Sequence, residues 1–193
     1  MRGVFKCSNE SGRSMVEMLG VLAIVGVLSI GGIAGYSKAM AKYKINKTLD
    51  QVSMLITNVR TAFGNQASYD GLKTSTAISY QLVGNDLTLG STTKLTNAFN
   101  GGVTVEAVCG TGDDAEYCPS FEITYTDIEQ TACGTIASSD WGGNAASGLL
   151  KISINGTDYT WGGQTNELPI GFADAMEACN ATDGKNEIVW EYN

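Results

Sequence analysis

The 193-residue chain contains no histidine. That absence removes the usual general base, the commonest metal ligand and the side chain that titrates near neutrality, so hydrolytic and zinc chemistry is not expected. Basic residues are few and scattered: 12 Lys and Arg stand against 20 Asp and Glu, for a formal net charge of −8 and a sequence pI near 4.4. Affinity for nucleic acid comes from clustered Lys and Arg on phosphates, and a chain this acidic is not expected to be a general nucleic-acid binder. Proline occurs only twice. Glycine, serine, threonine and asparagine are abundant instead, a composition suited to turn-rich β structure. No enzyme activity, metal or cofactor is expected.

What is present is one long apolar run. From Met18 to Tyr36 there is no charged side chain, a length close to the ~20 residues that cross a bilayer as a helix. A cleaved secretory signal has a shorter apolar region and a small-residue cut just beyond it. Ala39-Met40-Ala41 would serve as such a cut, but it follows Lys38 inside a pattern that continues as helix. Beyond Tyr36, Ile45, Leu49, Val52, Leu55 or Ile56, Val59 and Phe63 recur at steps of three or four, which marks one face of an amphipathic helix. A single helix from about Met15 to Phe63 would extend roughly 70 Å, half in lipid and half docked on a domain.

Glu17 stands at the leading edge of this run. A carboxylate at mid-membrane costs on the order of 3 kcal/mol and calls for a cation; at headgroup level, near a helix N-terminus, the helix dipole favours it. Gly20, Gly26, Gly31, Gly32 and Gly35 interrupt the run, each costing up to ~1 kcal/mol relative to alanine. Small residues let membrane helices approach closely.

Gly12 followed by Arg13-Ser14-Met15-Val16-Glu17-Met18-Leu19 resembles a type IV prepilin: a short leader with basic residues, a glycine before the cut, a glutamate at the fifth mature position and an apolar helix. The resemblance implies cleavage after Gly12 by a membrane-embedded prepilin peptidase and methylation of the new amine on Arg13. It implies also that Glu17 neutralises the amino terminus of a neighbouring subunit during assembly, and that the section from Gly26 to Gly35 unwinds in the filament. Arg13 stands where the family usually has Phe or Met. Loss of the leader, with Arg2, Lys6 and Glu10, would take the chain from −8 to −9.

The remainder predicts a loop after Phe63, a short helix over 76–83, a strand at Val103, Val105 and Ala107, and a strand over 120–126. Asp127 reads as the cap of a helix over 127–138. A hairpin follows, its strand over 149–154 turning at Asn155-Gly156-Thr157-Asp158 into 159–161. A helix over 167–179, with Leu168, Phe172, Met176 and Cys179 on one side, and a strand at 188–190 complete the pattern. The expected fold class is α+β: a long N-terminal helix, half transmembrane and half amphipathic, packed on an antiparallel sheet of about four or five strands, a pilin α/β-roll. The domains are a leader, 1–12; a transmembrane or filament-core half of the helix, 13–36; its amphipathic half, 37–63; and a globular head, 64–193.

Five cysteines divide unevenly, with Cys7 in the leader and Cys109, Cys118, Cys133 and Cys179 in the head. If the apolar run separates compartments, four remain on the oxidising side for pairing, with alternative connectivities open. The segments LTNAFNGGVTV and FEITYTDIEQTACGTI resemble type IVb pilins, with an extra Asn100 between Phe99 and Gly101. That resemblance implies a Cys133–Cys179 bridge; Cys109–Cys118 would close a small loop between strands. Asp113, Asp114 and Glu116, and separately Asn180, Asp183, Asn186 and Glu187, carry oxygen ligands without the rhythm of a calcium loop, and acidic surface turns are their default reading. Trp141, Trp161 and Trp190 read as core rather than binding surface.

The resemblance implies a structural subunit: a precursor in the bacterial inner membrane, then a homopolymer in an extracellular pilus for adhesion, motility or uptake. Its partners would be the prepilin peptidase, an assembly ATPase and an inner-membrane platform. A type II secretion pseudopilin or minor pilin is the alternative within the same fold. A membrane-anchored extracytoplasmic binding module or enzyme, with the helix as a mere anchor, is the alternative of another class.

Overall fold

The computed structural model describes residues 14–110, 117–142 and 145–193. The chain divides into two compact units, one ending at Ala41 and one spanning Lys42–Asn193. The first helix, α1 (Met15–Phe63), contributes its first part to one and its remainder to the other.

In the first unit the backbone is helical from Met15 onward, including all five glycines of the apolar run. Its large apolar side chains are exposed, from 43% at Met18 to 86% at Met15.

In the second unit the rest of α1 buries Val52, Leu55, Ile56, Val59 and Phe63, the face that the three-and-four spacing predicts. Ile45 and Leu49 are half-buried against the same core. Two polar residues share the buried stripe, Thr48 and Gln51.

Short helices α2 (Thr74–Ser79) and α3 (Asn85–Thr88) come next, then β1 (Leu95–Thr96), β2 (Gly102–Val108), β3 (Ser120–Ile128), α4 (Gln130–Ala137), β4 (Leu149–Ile154), β5 (Thr157–Thr160), α5 (Phe172–Ala178) and β6 (Asn186–Tyr192). The strands form one antiparallel sheet in the order β1-β2-β3-β6-β4-β5. The last strand is therefore inserted between β3 and β4. Alternation places Val103 and Val105, Phe121, Ile123 and Tyr125, and Ile188, Trp190 and Tyr192 in the core.

Three expectations are corrected. Asp127 caps no helix: it lies in β3 at a register shift between Tyr125 and Ile128, with φ of 59°, because pairing with β6 carries the strand through to Ile128. The helix over 167–179 begins only at Phe172. Leu168 N–H donates to the Thr160 carbonyl at 3.1 Å, so this segment runs extended along the end of β5, and Phe172 is exposed rather than packed. The sheet has six strands, β1 being too short to leave a periodic pattern.

Asn97, buried and just beyond β1, organises the corner before β2. Its Oδ1 accepts from the N–H of Phe99 and of Gly101, both at 2.9 Å, and its Nδ2 donates to the Thr126 carbonyl at 2.8 Å. A Cβ on Gly101 would collide with that same carbonyl, so close backbone approach requires glycine there. Trp141 and Trp161 are each followed by glycine and anchored by the ring. The indole N–H of Trp141 donates to the Ile136 carbonyl and that of Trp161 to the Leu149 carbonyl, each at 2.8 Å. The glycine after each has positive φ, 128° at Gly142 and 70° at Gly162, turning the chain around the anchored ring. Trp190 is fully buried.

Candidate assembly surface

Thirteen large apolar side chains between Met15 and Tyr36 are exposed. At about 1.5–3 kcal/mol for each side chain transferred from water, covering this surface is worth some tens of kcal/mol, more than the net stability of a typical domain. The helix is long and apolar enough to cross a membrane, and lipid or other apolar helices are the surroundings that suit such a surface. A Cβ placed on Gly20, Gly26, Gly31, Gly32 or Gly35 would meet nothing within 4 Å, so nothing in the described chain itself demands these glycines. Ser29, the polar exception, donates its hydroxyl to the Val25 carbonyl at 2.7 Å, which makes it compatible with an apolar surround. Glu17 occupies the first turn of α1 and is exposed, with no ion pair among the described residues. Gly12 and Arg13, the expected cleavage and methylation residues, and Cys7 lie outside the described residues.

Beyond the apolar run, α1 is basic. Lys44 sits over the Phe99 ring at 5.4 Å from its centroid, and Lys47 pairs with Asp86 at 3.6 Å. Gln51 Nε2 donates to the same carboxylate at 2.6 Å, while Gln51 Oε1 and Thr48 Oγ1 are buried with no hydrogen-bond partner among the described residues. A groove of about 450 Å³ opens here, lined by Tyr43, Met54 and Leu55 of α1 and by Asp86 and Leu87 of α3. Sequence reasoning missed this polar site. Its signal was Thr48 and Gln51 standing on a face otherwise filled by Val52, Leu55 and Val59.

Two disulfides brace the head: Cys109–Cys118 between the ends of β2 and β3, and Cys133–Cys179 joining α4 to the end of α5. The pairing is that implied by the type IVb resemblance together with the strand-to-strand loop.

On the face of the sheet away from the core, Glu106 of β2 stands opposite Glu122 of β3, which stands opposite Glu191 of β6. Burial, then the charges of Glu106 and Glu191, hold the Glu122 carboxyl above the usual carboxylate range, with Lys151 opposing. Lys151 binds Glu191 and Asp158, each at 3.4 Å.

A second cleft, about 520 Å³, lies at the β5 edge of the sheet against α5. Glu167, Asp174, Glu177 and Asn180 line it with Tyr159, and no Lys or Arg does among the described residues. Tyr159 is only 6% exposed and its hydroxyl has no hydrogen-bond partner among the described residues. Burial, Asp174 and Glu177, in that order, raise its pKa.

Of the oxygen-rich candidates for calcium, Asp113, Asp114 and Glu116 lie outside the described residues. Asn186 is buried and committed to structure: its Nδ2 donates to the Ile128 carbonyl at 3.0 Å, and its Oδ1 accepts from Asn155 Nδ2 at 2.9 Å and from the Ala181 N–H at 3.1 Å. Asp183 accepts from the Lys185 N–H at 3.0 Å, tightening a turn.

Residues 42–193 match the family described as PilS N terminal. Among solved structures, the chain is similar to a type IV b pilin from Salmonella typhi, with TM-score 0.55 and 21% identity over 75% of this chain and 97% of that one. It is similar also to TcpA, a type IV pilin from Vibrio cholerae El Tor biotype, with TM-score 0.50 and 10% identity over 78% of this chain and 99% of that one. No curated protein matches. At these identities the likeness to the solved structures concerns the fold.

Proposed function

The chain belongs to the PilS N terminal family, and from that premise we propose that it is the polymerising subunit of a type IVb-like pilus. The observation that carries this reading is the exposed, glycine-punctuated apolar part of α1 with Glu17 in its first turn. A membrane anchor needs only apolar length. The five glycines are costs for an anchor, and Glu17 serves no purpose in one; both become useful when the helix leaves lipid to pack against copies of itself.

On this reading residues 1–12 are a leader removed by a prepilin peptidase, 13–36 form the filament core, 37–63 dock the helix on the head, and 64–193 face outward. Cleavage after Gly12 creates an amino terminus on Arg13, which is methylated. Glu17 of one copy pairs with that amine of the next, so the buried carboxylate gains the cation it requires. An assembly ATPase and an inner-membrane platform extrude the subunits from the inner membrane into a surface fibre. As a structural subunit the protein has no catalytic role.

Substitution Glu17→Ala tests the reading. Surface fibres recovered by shearing fall by about tenfold or more, while the chain still reaches the membrane. Wild-type fibre yield from this variant would overturn the proposal in favour of a helix that only anchors. The abundance of the chain in sheared fibres separates a major subunit, which dominates them, from a pseudopilin or minor pilin.

A further inference from the structure

Charge is segregated along this chain. Residues 64–193 carry four lysines against seventeen carboxylates, a net −13, whereas α1 carries Lys38, Lys42, Lys44, Lys47 and Arg60 against Glu17 and Asp50. Most cations of the described chain are already engaged. Lys47, Lys151 and Lys185 are in ion pairs, Lys44 covers the Phe99 ring, and Arg60 donates to the Ser147 carbonyl at 2.8 Å. Lys38, Lys42, Lys73 and Lys94 make no ion pair among the described residues.

The cleft at the β5 edge has the complementary need. Asp174 and Glu177 line it together with Tyr159, whose side chain is buried and whose hydroxyl has no hydrogen-bond partner among the described residues, and Glu167 adds a third carboxylate. No cluster of three acidic, cysteine or histidine side chains among the described residues is placed to hold a metal ion. The opening therefore suits a cation that arrives on a long stem and brings its own donors. A lysine ammonium does so: three donors on a flexible four-carbon chain.

We propose that this cleft is a socket for a second copy of the chain, filled by the ammonium of its Lys38 or Lys42. The proposal rests on the filament reading above. When apolar helices bundle at the centre of a fibre, the first charges to emerge from the bundle meet the heads of surrounding copies. Lys38 and Lys42 are those charges. Both are exposed, and their i, i+4 spacing puts them on one side of α1. Lys73 and Lys94 lie on the head itself, outside α1.

The test uses the full-length chain in cells that assemble fibres. Reversing the cleft with Asp174→Lys and Glu177→Lys, both at exposed positions, lowers sheared-fibre yield about tenfold or more, and adding Lys38→Glu and Lys42→Glu restores it to within about threefold. Because the reversal at Lys38 could hinder membrane insertion, a second arm leaves charge aside. Lys42→Cys combined with Glu177→Cys, treated with a short bifunctional maleimide, gives a ladder of covalent oligomers in fibres, whereas Lys94→Cys with Glu177→Cys does not. Undiminished fibres from the cleft-reversed chain, or fibres without a ladder, overturn the socket alone. A wild-type chain that forms no fibres sinks the filament reading and the socket with it.

Discussion

Glu122 has Glu106 on one side, Glu191 on the other and only partial access to water. Like charges directly opposite across strands are destabilising. Glu122→Gln keeps the shape and removes the charge, so urea unfolding at neutral pH should show a gain of roughly 0.5–1 kcal/mol. The direction with pH follows from the raised carboxyl. A group whose folded pKa exceeds its unfolded value favours the protonated form in the native state. Its contribution is complete below the ordinary carboxylate range and is lost as pH rises through the folded value. The advantage of Glu122→Gln should accordingly be full near neutrality and vanish below about pH 4. Asn97 and Gly101 make the opposite case. Asn97→Ala strips the buried Gly101 N–H, the part-buried Phe99 N–H and the Thr126 carbonyl of a partner and should cost about 2–3 kcal/mol in the same assay. Gly101→Ala drives a methyl into backbone and should cost at least as much.

Among the elements, α1 was legible because a three-and-four spacing survives any tertiary context, and its buried face matches that spacing from Val52 to Phe63. Asp127 misled because its helix-cap chemistry is local, whereas its position in β3 is fixed by pairing with β6, some sixty residues further along. The start of α5 failed for the same reason: the end of β5 captures Leu168. Among site residues, Glu17 stood out from sequence as a charge in an apolar run. The Gln51–Asp86 pair and the cleft around Tyr159 did not, since each is assembled from separate segments. The two bridges act at the same scale. Cys133–Cys179 closes 46 residues and Cys109–Cys118 closes 9. In the chain-entropy treatment these are worth roughly 4 and 3 kcal/mol. Replacing both members of the first pair with serine should lower the urea midpoint more than replacing the second; the reverse order would show that the α4–α5 region holds without its bridge.

At the scale of the molecule, the family and fold belong to pilins, and the apolar first part of α1, exposed among the described residues, is the surface through which copies would meet on the proposed reading. The acidic head and basic helix give that association a polarity which apolar packing alone would lack. The most direct measurement is mass spectrometry of the amino terminus of the chain in sheared surface fibres. The account predicts a chain that begins at Arg13 with a methylated amine. A chain that keeps residues 1–12 and is found only in the membrane fraction would contradict it.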